Sequence, residues 1–268
     1  MEKAKVLFVS QEITPYLPES EMSKIGRHLP QGIQESGKEI RTFMPRFGSI
    51  NERRNQLHEV IRLSGMNLII NDTDNPLIIK VASIQAARMQ VYFIDNEDYF
   101  HRKFTFTDAD GKEFDDNDER SIFFARGVLE TTKKLRWAPD IVHCHGWFTS
   151  LAPLYLKKAM NEDPHFINSK VIYSVYDNEF DETWAENYKE KLKLDGITDS
   201  DLEQLSPPNY INLTKLAISM SDGIIQGSEK INPDIEKFIK DSKKPFLGYQ
   251  QEESYIAAYN DFYDKMID

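Results

Sequence analysis

Asp140-Ile-Val-His-Cys-His-Gly-Trp-Phe-Thr-Ser-Leu-Ala-Pro-Leu-Tyr-Leu156 is the stretch that decides the fold. Asp140 to His143 has the apolar character of a short strand buried on both faces. His145-Gly146-Trp147 reads as a turn, and a helix is predicted from about Phe148, with Leu151, Leu154 and Tyr155 on one face. Strand, tight turn and helix in succession form the unit of an open α/β sheet, where ligands sit beyond the carboxyl ends of the strands. Two histidines and a tryptophan at such an end are placed to meet a polar, ring-shaped ligand. The plainer reading makes His143 a core histidine and Trp147 a residue that packs the turn. Strand alternation turns Cys144 away from both histidines, so a thiol nucleophile between them is disfavoured.

The flanking sequence repeats the unit. Val6 to Ser10 reads as a buried strand, a helix spans about 21–36 and closes at Gly37, and a strand from Ile40 to Met44 stops at Pro45. Residues 55–95 differ. Short apolar runs separated by turn residues, among them Asn71 to Pro76, predict a β-rich insertion that ends in a core strand. A polar loop over 101–118 leads to a helix over 119–135 with Asn117 or Asp118 as its cap. Beyond the histidine segment come a strand at 171–176, an acidic irregular stretch at 177–208 with two short helices, a helix at 209–221, a strand at 223–226 and a helix at 232–240. Strands alternating with helices predict a doubly wound parallel sheet, Rossmann-like, in one unit over 1–268. Apolar residues at 255, 256, 259, 262, 263 and 266 make 252–267 an amphipathic helix expected to pack back on the sheet.

Composition narrows the function classes. Forty per cent hydrophobic residues, twelve per cent of all residues being aromatic, suffice for a packed core in 268 residues. A net charge of −11 opposes nucleic acid and anionic membrane surfaces as partners. The single cysteine excludes an internal disulfide, and no signal peptide or apolar run long enough to span a bilayer is recognisable, so a cytoplasmic location is expected. No Gly-x-Gly-x-x-Gly follows the first strand, and His143-x-His145 lacks a third ligand at recognisable spacing. No cofactor and no metal are expected.

The histidine segment resembles the His-x-His-Asp-Trp-His-Thr-Ala-Leu-Ala-Pro-Leu-Tyr-Leu signature of bacterial glycogen synthases and plant starch synthases. Lys5 to Tyr16 resembles that family's first strand and its Glu-x-x-Pro-Phe/Tyr exit. Leu29 to Gly48, Tyr92 to Phe100 and Asp116 to Phe124 are similar to three more of its segments, in the same order. The resemblance is collinear from about Lys5 to Phe238. It implies the N-terminal half of a GT-B glycosyltransferase, an enzyme that transfers glucose from ADP-glucose to an α-1,4-glucan in a cleft between two domains. It also implies that the final helix, with Tyr255 and Tyr259 at a spacing the family's closing helix often has, is kept from a two-domain ancestor whose second domain is lost.

The chain departs from the family where the donor would bind. The family's Lys-x-Gly-Gly-Leu loop is replaced by Pro18-Glu19-Ser20-Glu21-Met22, which loses a cation and two glycines and gains two carboxylates. The aspartate of His-Asp-Trp becomes Gly146, and the histidine of Thr-Ile-His-Asn becomes Tyr176, followed by Asp177. The resemblance therefore implies a domain of glucan metabolism that is non-catalytic alone, with His145, Gly146, Trp147, Tyr176 and Asp177 as the candidate ligand contacts. Trp147, Tyr176, Phe180 and Trp184 are the expected exposed aromatics for an α-glucan or maltooligosaccharide. Two alternatives stay open: a glucosyltransferase completed by a separate chain carrying the second domain, and a structural module docking on a glycogen-metabolism enzyme.

Overall fold

The structure, a computed structural model, describes residues 3–268. Its sheet has β1 (Lys5–Ser10) in the middle, between β2 (Glu39–Pro45) and β7 (Ile141–His145). Val6 to Val9 are wholly buried because sheet neighbours lie on both sides and helices or side chains cover both faces. Outward from β7 run β8 (Lys170–Val175), β9 (Gly223–Gln226) and the two-residue β10 (Phe246–Leu247); outward from β2 run β6 (Met89–Asp95), β5 (Thr73–Ile84) and β3 (His58–Glu59). β4 (Met66–Ile70) pairs with β5 alone.

The sheet is parallel from β10 to β6, as the doubly wound reading expects, and antiparallel beyond, within the β-rich insertion. The cause is local. Asn71 and Asp72 take φ of 50° and 58°, the conformation of a two-residue hairpin turn, which reverses β4 into β5. Only Gln85 to Arg88 then separate β5 from β6, too short a link for a parallel crossover.

The main helices are α1 (Glu21–Glu35), α4 (Asn117–Lys134), α5 (Leu151–Lys157), α7 (Tyr210–Ser219), α8 (Pro233–Ser242) and α9 (Tyr255–Ile267). Short turns α2 (Glu52–Asn55), α3 (Glu97–Phe100) and α6 (Tyr188–Leu192) lie in the connections. α4, α5, α7 and α8 bury their apolar sides in one large cluster on one face of the sheet. The other face holds a smaller cluster in which α1 covers Val6 and Phe8, and α9 covers Ile141, Ile172 and Ile225. No crossover helix lies on that side of β7, β8 and β9; Tyr259, Phe262 and Tyr263 of α9 fill the gap. Two glycines permit the fit. A Cβ at Gly32 of α1 would stand 2.4 Å from Ile256, and one at Gly223 of β9 would stand 3.1 Å from the Phe262 ring.

Two local expectations change. The cap of α4 is Asp116, since Asn117 donates to the Phe106 carbonyl and Asp118 pairs with Lys191. β7 continues to His145, and one tight turn, Trp147–Thr149, precedes α5.

Candidate functional site

The parallel strands run β6-β2-β1-β7-β8-β9-β10, so the chain changes direction across the sheet between β1 and β7. This topological switch point is where open α/β sheets form their ligand crevice. Here side chains fill it. The Gln11 amide donates to the His145 carbonyl at 3.2 Å, and the Phe148 amide donates to Gln11 Oε1 at 3.1 Å. Gly146 has φ of 85°, and a Cβ on it would lie 2.7 Å from Gln11 Oε1 and 2.8 Å from Met22 Cε. Where the resembled family carries aspartate, this chain has both a glycine conformation and no space for a side chain.

His143 and His145 project from the same face of β7, their ring centroids 3.8 Å apart, while Cys144 lies in the cluster on the opposite face. His143 is satisfied twice, by the Tyr263 hydroxyl at 2.5 Å from Nδ1 and by Ser174 Oγ at 2.7 Å from Nε2. The Tyr259 ring lies 5.9 Å from that of His143, so α9 reaches the strand ends through two tyrosines. His145 Nδ1 meets the Tyr176 hydroxyl at 2.8 Å, whereas its Nε2 is buried with no partner. Burial drives both imidazoles down, His143 well below its ordinary value with His145 adding to the effect, and His145 to about 3. The Tyr176 phenol is pushed well above its ordinary range by burial. Tyr176 therefore keeps its proton beside a neutral His145, and in either tautomer of that ring Nε2 is a buried polar atom without a partner.

The expected aromatic platform is not open. Trp147 is 4% exposed, Tyr176 3%, and Phe180 and Trp184 8% each. The rings meet one another instead: Phe180 stacks on Trp184 with centroids 4.7 Å apart, and Trp147 lies 4.8 Å from Phe180 and 4.9 Å from Phe106. Trp184 Nε1 and both amide atoms of Asn178 are buried without partners. Of the strand-end candidates, His145, Gly146, Trp147 and Tyr176 come together in the interior. Asp177 sits at the rim, its amide donating to Ser228 Oγ at 3.0 Å.

The Pro18-Glu19-Ser20-Glu21 loop leads into α1. Ser20 is the helix cap: its Oγ accepts from the Ser23 amide at 3.0 Å, and Ser23 Oγ accepts from the Ser20 amide at 2.8 Å. Ser20 Oγ donates to Glu12 Oε2 at 2.7 Å. Glu21 accepts from Ser228 Oγ at 2.6 Å, tying α1 to the exit of β9. Glu19 is exposed and lies 3.6 Å from Lys24. The N-terminal end of α1 is thus capped by its own serine and flanked by carboxylates. Gln11, Glu12, Ser228 and Tyr263 have roles here that the sequence reading missed. The signal present was the face shared by 255, 259 and 263, aligned with two histidines on one strand face.

Among the described residues no group of three His, Cys, Asp or Glu side chains is arranged to hold a metal ion, and no helix is long and apolar enough to cross a membrane.

Comparison with known proteins fits this geometry. A family profile described as the starch synthase catalytic domain matches residues 5–242. The glycogen synthase of Chlorobium limicola is 40% identical over 173 residues, which are 64% of this chain and 35% of that protein. The glycogen synthase of Chlorobium luteolum is 39% identical over 173 residues with the same shares. The chain thus spans about a third of the length of these curated relatives. The catalytic domain of Starch Synthase IV from Arabidopsis thaliana, solved bound to ADP and acarbose, has the same fold. Its TM-score is 0.74 over 95% of this chain and 53% of that one, at 16% identity.

Proposed function

The chain belongs to the starch synthase catalytic-domain family, and from that premise we propose that it is a saccharide-recognising domain of glucan metabolism that does not hold ADP-glucose for transfer. The observation that carries this is the α1 N-terminus. In a family whose Arabidopsis member was solved with ADP and acarbose, this chain keeps the fold but adds Glu19 and Glu21 at the helix end. Two unit charges 4 Å apart interact by about 1 kcal/mol in water and about 4 kcal/mol at an effective dielectric of about 20. A diphosphate beside these carboxylates meets repulsion of that order, with the helix amide it needs already taken by Ser20. A neutral sugar meets no such charge term.

Other features support the same reading. The crevice is occupied by Gln11 and Met22, and both histidines are held neutral inside the protein. The competing reading, transfer completed by a separate polypeptide, requires this chain to accept the donor at α1. Calorimetric titration of ADP-glucose into the chain separates the two, since only the competing reading requires saturable donor binding, and a transfer assay from radiolabelled ADP-glucose to maltooligosaccharide tests the absence of transfer. The expected outcome is no incorporation above the protein-free control. Turnover on the order of 1 s⁻¹ or more, within the ordinary enzyme range, overturns the proposal.

A further inference from the structure

The filled crevice contrasts with an open cleft on its flank, of about 500 Å³, between α1 and the C-terminal segment. That volume is in the range of small-molecule sites. α1 and α9 are in contact at Gly32 and Ile256, and where α1 runs back toward Glu21 the gap beside α9 is roofed by Tyr249 and Gln250. We propose that this cleft is the saccharide site, taking a neutral oligosaccharide. The inference rests on the reading of the chain as saccharide-recognising and gives that reading a location.

The lining has the chemistry a polyol needs. Lys24 and His28 stand one turn apart on the same face of α1 and offer nitrogen groups to hydroxyls. Gln250 offers an amide from the opposite wall, and Tyr249 and Tyr255 supply phenol rings of the kind on which a sugar face packs. Charge selects against the other classes. Glu21 forms part of the wall, and Lys24 already faces Glu19, which disfavours a phosphate or carboxylate ligand. The crevice offers no comparable alternative, because its rings are packed against each other.

The test is a calorimetric titration of the full chain with maltotriose, repeated with Tyr249→Ala, His28→Trp and Trp147→Phe. Tyr249 is half-buried and His28 exposed, so both variants should stay folded, with melting temperatures within a few degrees of the wild type. His28→Trp places a large ring in the cleft. Tyr249→Ala is expected to weaken maltotriose about tenfold, the effect of losing one polar contact with its ring face, and His28→Trp to weaken it at least as much. Trp147→Phe is expected to leave the affinity within about twofold. If maltotriose binds but both cleft variants bind like the wild type, the location is wrong while the saccharide reading stands. If maltotriose does not bind the wild type at tens of millimolar, the saccharide reading itself fails, and the location with it.

Discussion

Two regions on the α1 side of the sheet, the crevice between β1 and β7 and the cleft between α1 and the C-terminal segment, have opposite fates. The topology creates the first, since the change of direction at β1 and β7 leaves a gap beyond the strand ends. Side chains then close it: Gln11 and Met22 against Gly146, Tyr176 on His145, and Tyr259 and Tyr263 reaching the Ser174–His143 pair. No crossover topology dictates the second. It exists because α9 touches α1 at Gly32 while the segment before it, with Tyr249 and Gln250, lines the other side of the gap. The fold therefore fixes where a site is easy to build, while the residues decide whether it is built there.

Removing α9 should damage both regions and have the largest effect. Tyr255, Tyr259, Phe262 and Tyr263 are all buried, and loss of each large side chain costs about 3–5 kcal/mol against a typical margin of about 5–15. Truncation after Gln250 should yield aggregated or insoluble protein. A truncated chain that remains soluble with the wild-type melting temperature would mean that the crevice is closed without α9.

Acid should weaken the crevice in particular. His143 and His145 are neutral when folded, with folded values depressed below 6.5, so the unfolded chain binds protons that the folded one does not. Stability from this source is fully present above pH 6.5 and is lost as pH falls toward about 3, at about 1.4 kcal/mol per pH unit for each histidine. Urea unfolding at pH 7.5 and 5.5 should show the loss before most carboxylates titrate. Equal midpoints at the two pH values would contradict the buried neutral pair.

A smaller effect separates the regions residue by residue. Tyr263→Phe leaves His143 Nδ1 without its partner in a fully buried place and should cost about 1–3 kcal/mol. Tyr249→Ala, in the cleft, removes a half-buried ring and should cost less than about 1 kcal/mol. Thermal melts of the two variants check the ranking, and a costlier Tyr249 would reverse it.

Much of this was legible in the sequence. The apolar runs at Val6–Val9 and Ile224–Ile225 are buried strands as read, and the helix read over about 21–36 before Gly37 is α1. The glycine and carboxylate changes at 146 and 18–21 were visible as departures from a family pattern. Burial was not legible. Trp147, Phe180 and Trp184 look alike in sequence whether they face solvent or one another, and their mutual packing depends on where the 177–187 segment folds back. The Tyr263–His143 bond joins residues 120 positions apart, which no local periodicity encodes. β10 escaped because two residues carry no pattern, and the open cleft escaped because it is a gap between distant elements.

The central claim is that the α1 end no longer accepts a diphosphate. It is tested most directly by titrating ADP into the full chain while following the backbone amides of Ser20 to Ser23 by NMR. The account predicts no saturable shift up to millimolar ADP, since Ser20 holds the cap and Glu19 and Glu21 flank it. Saturation in the micromolar range, about −8 kcal/mol of binding, with the largest shifts at those amides, would contradict it.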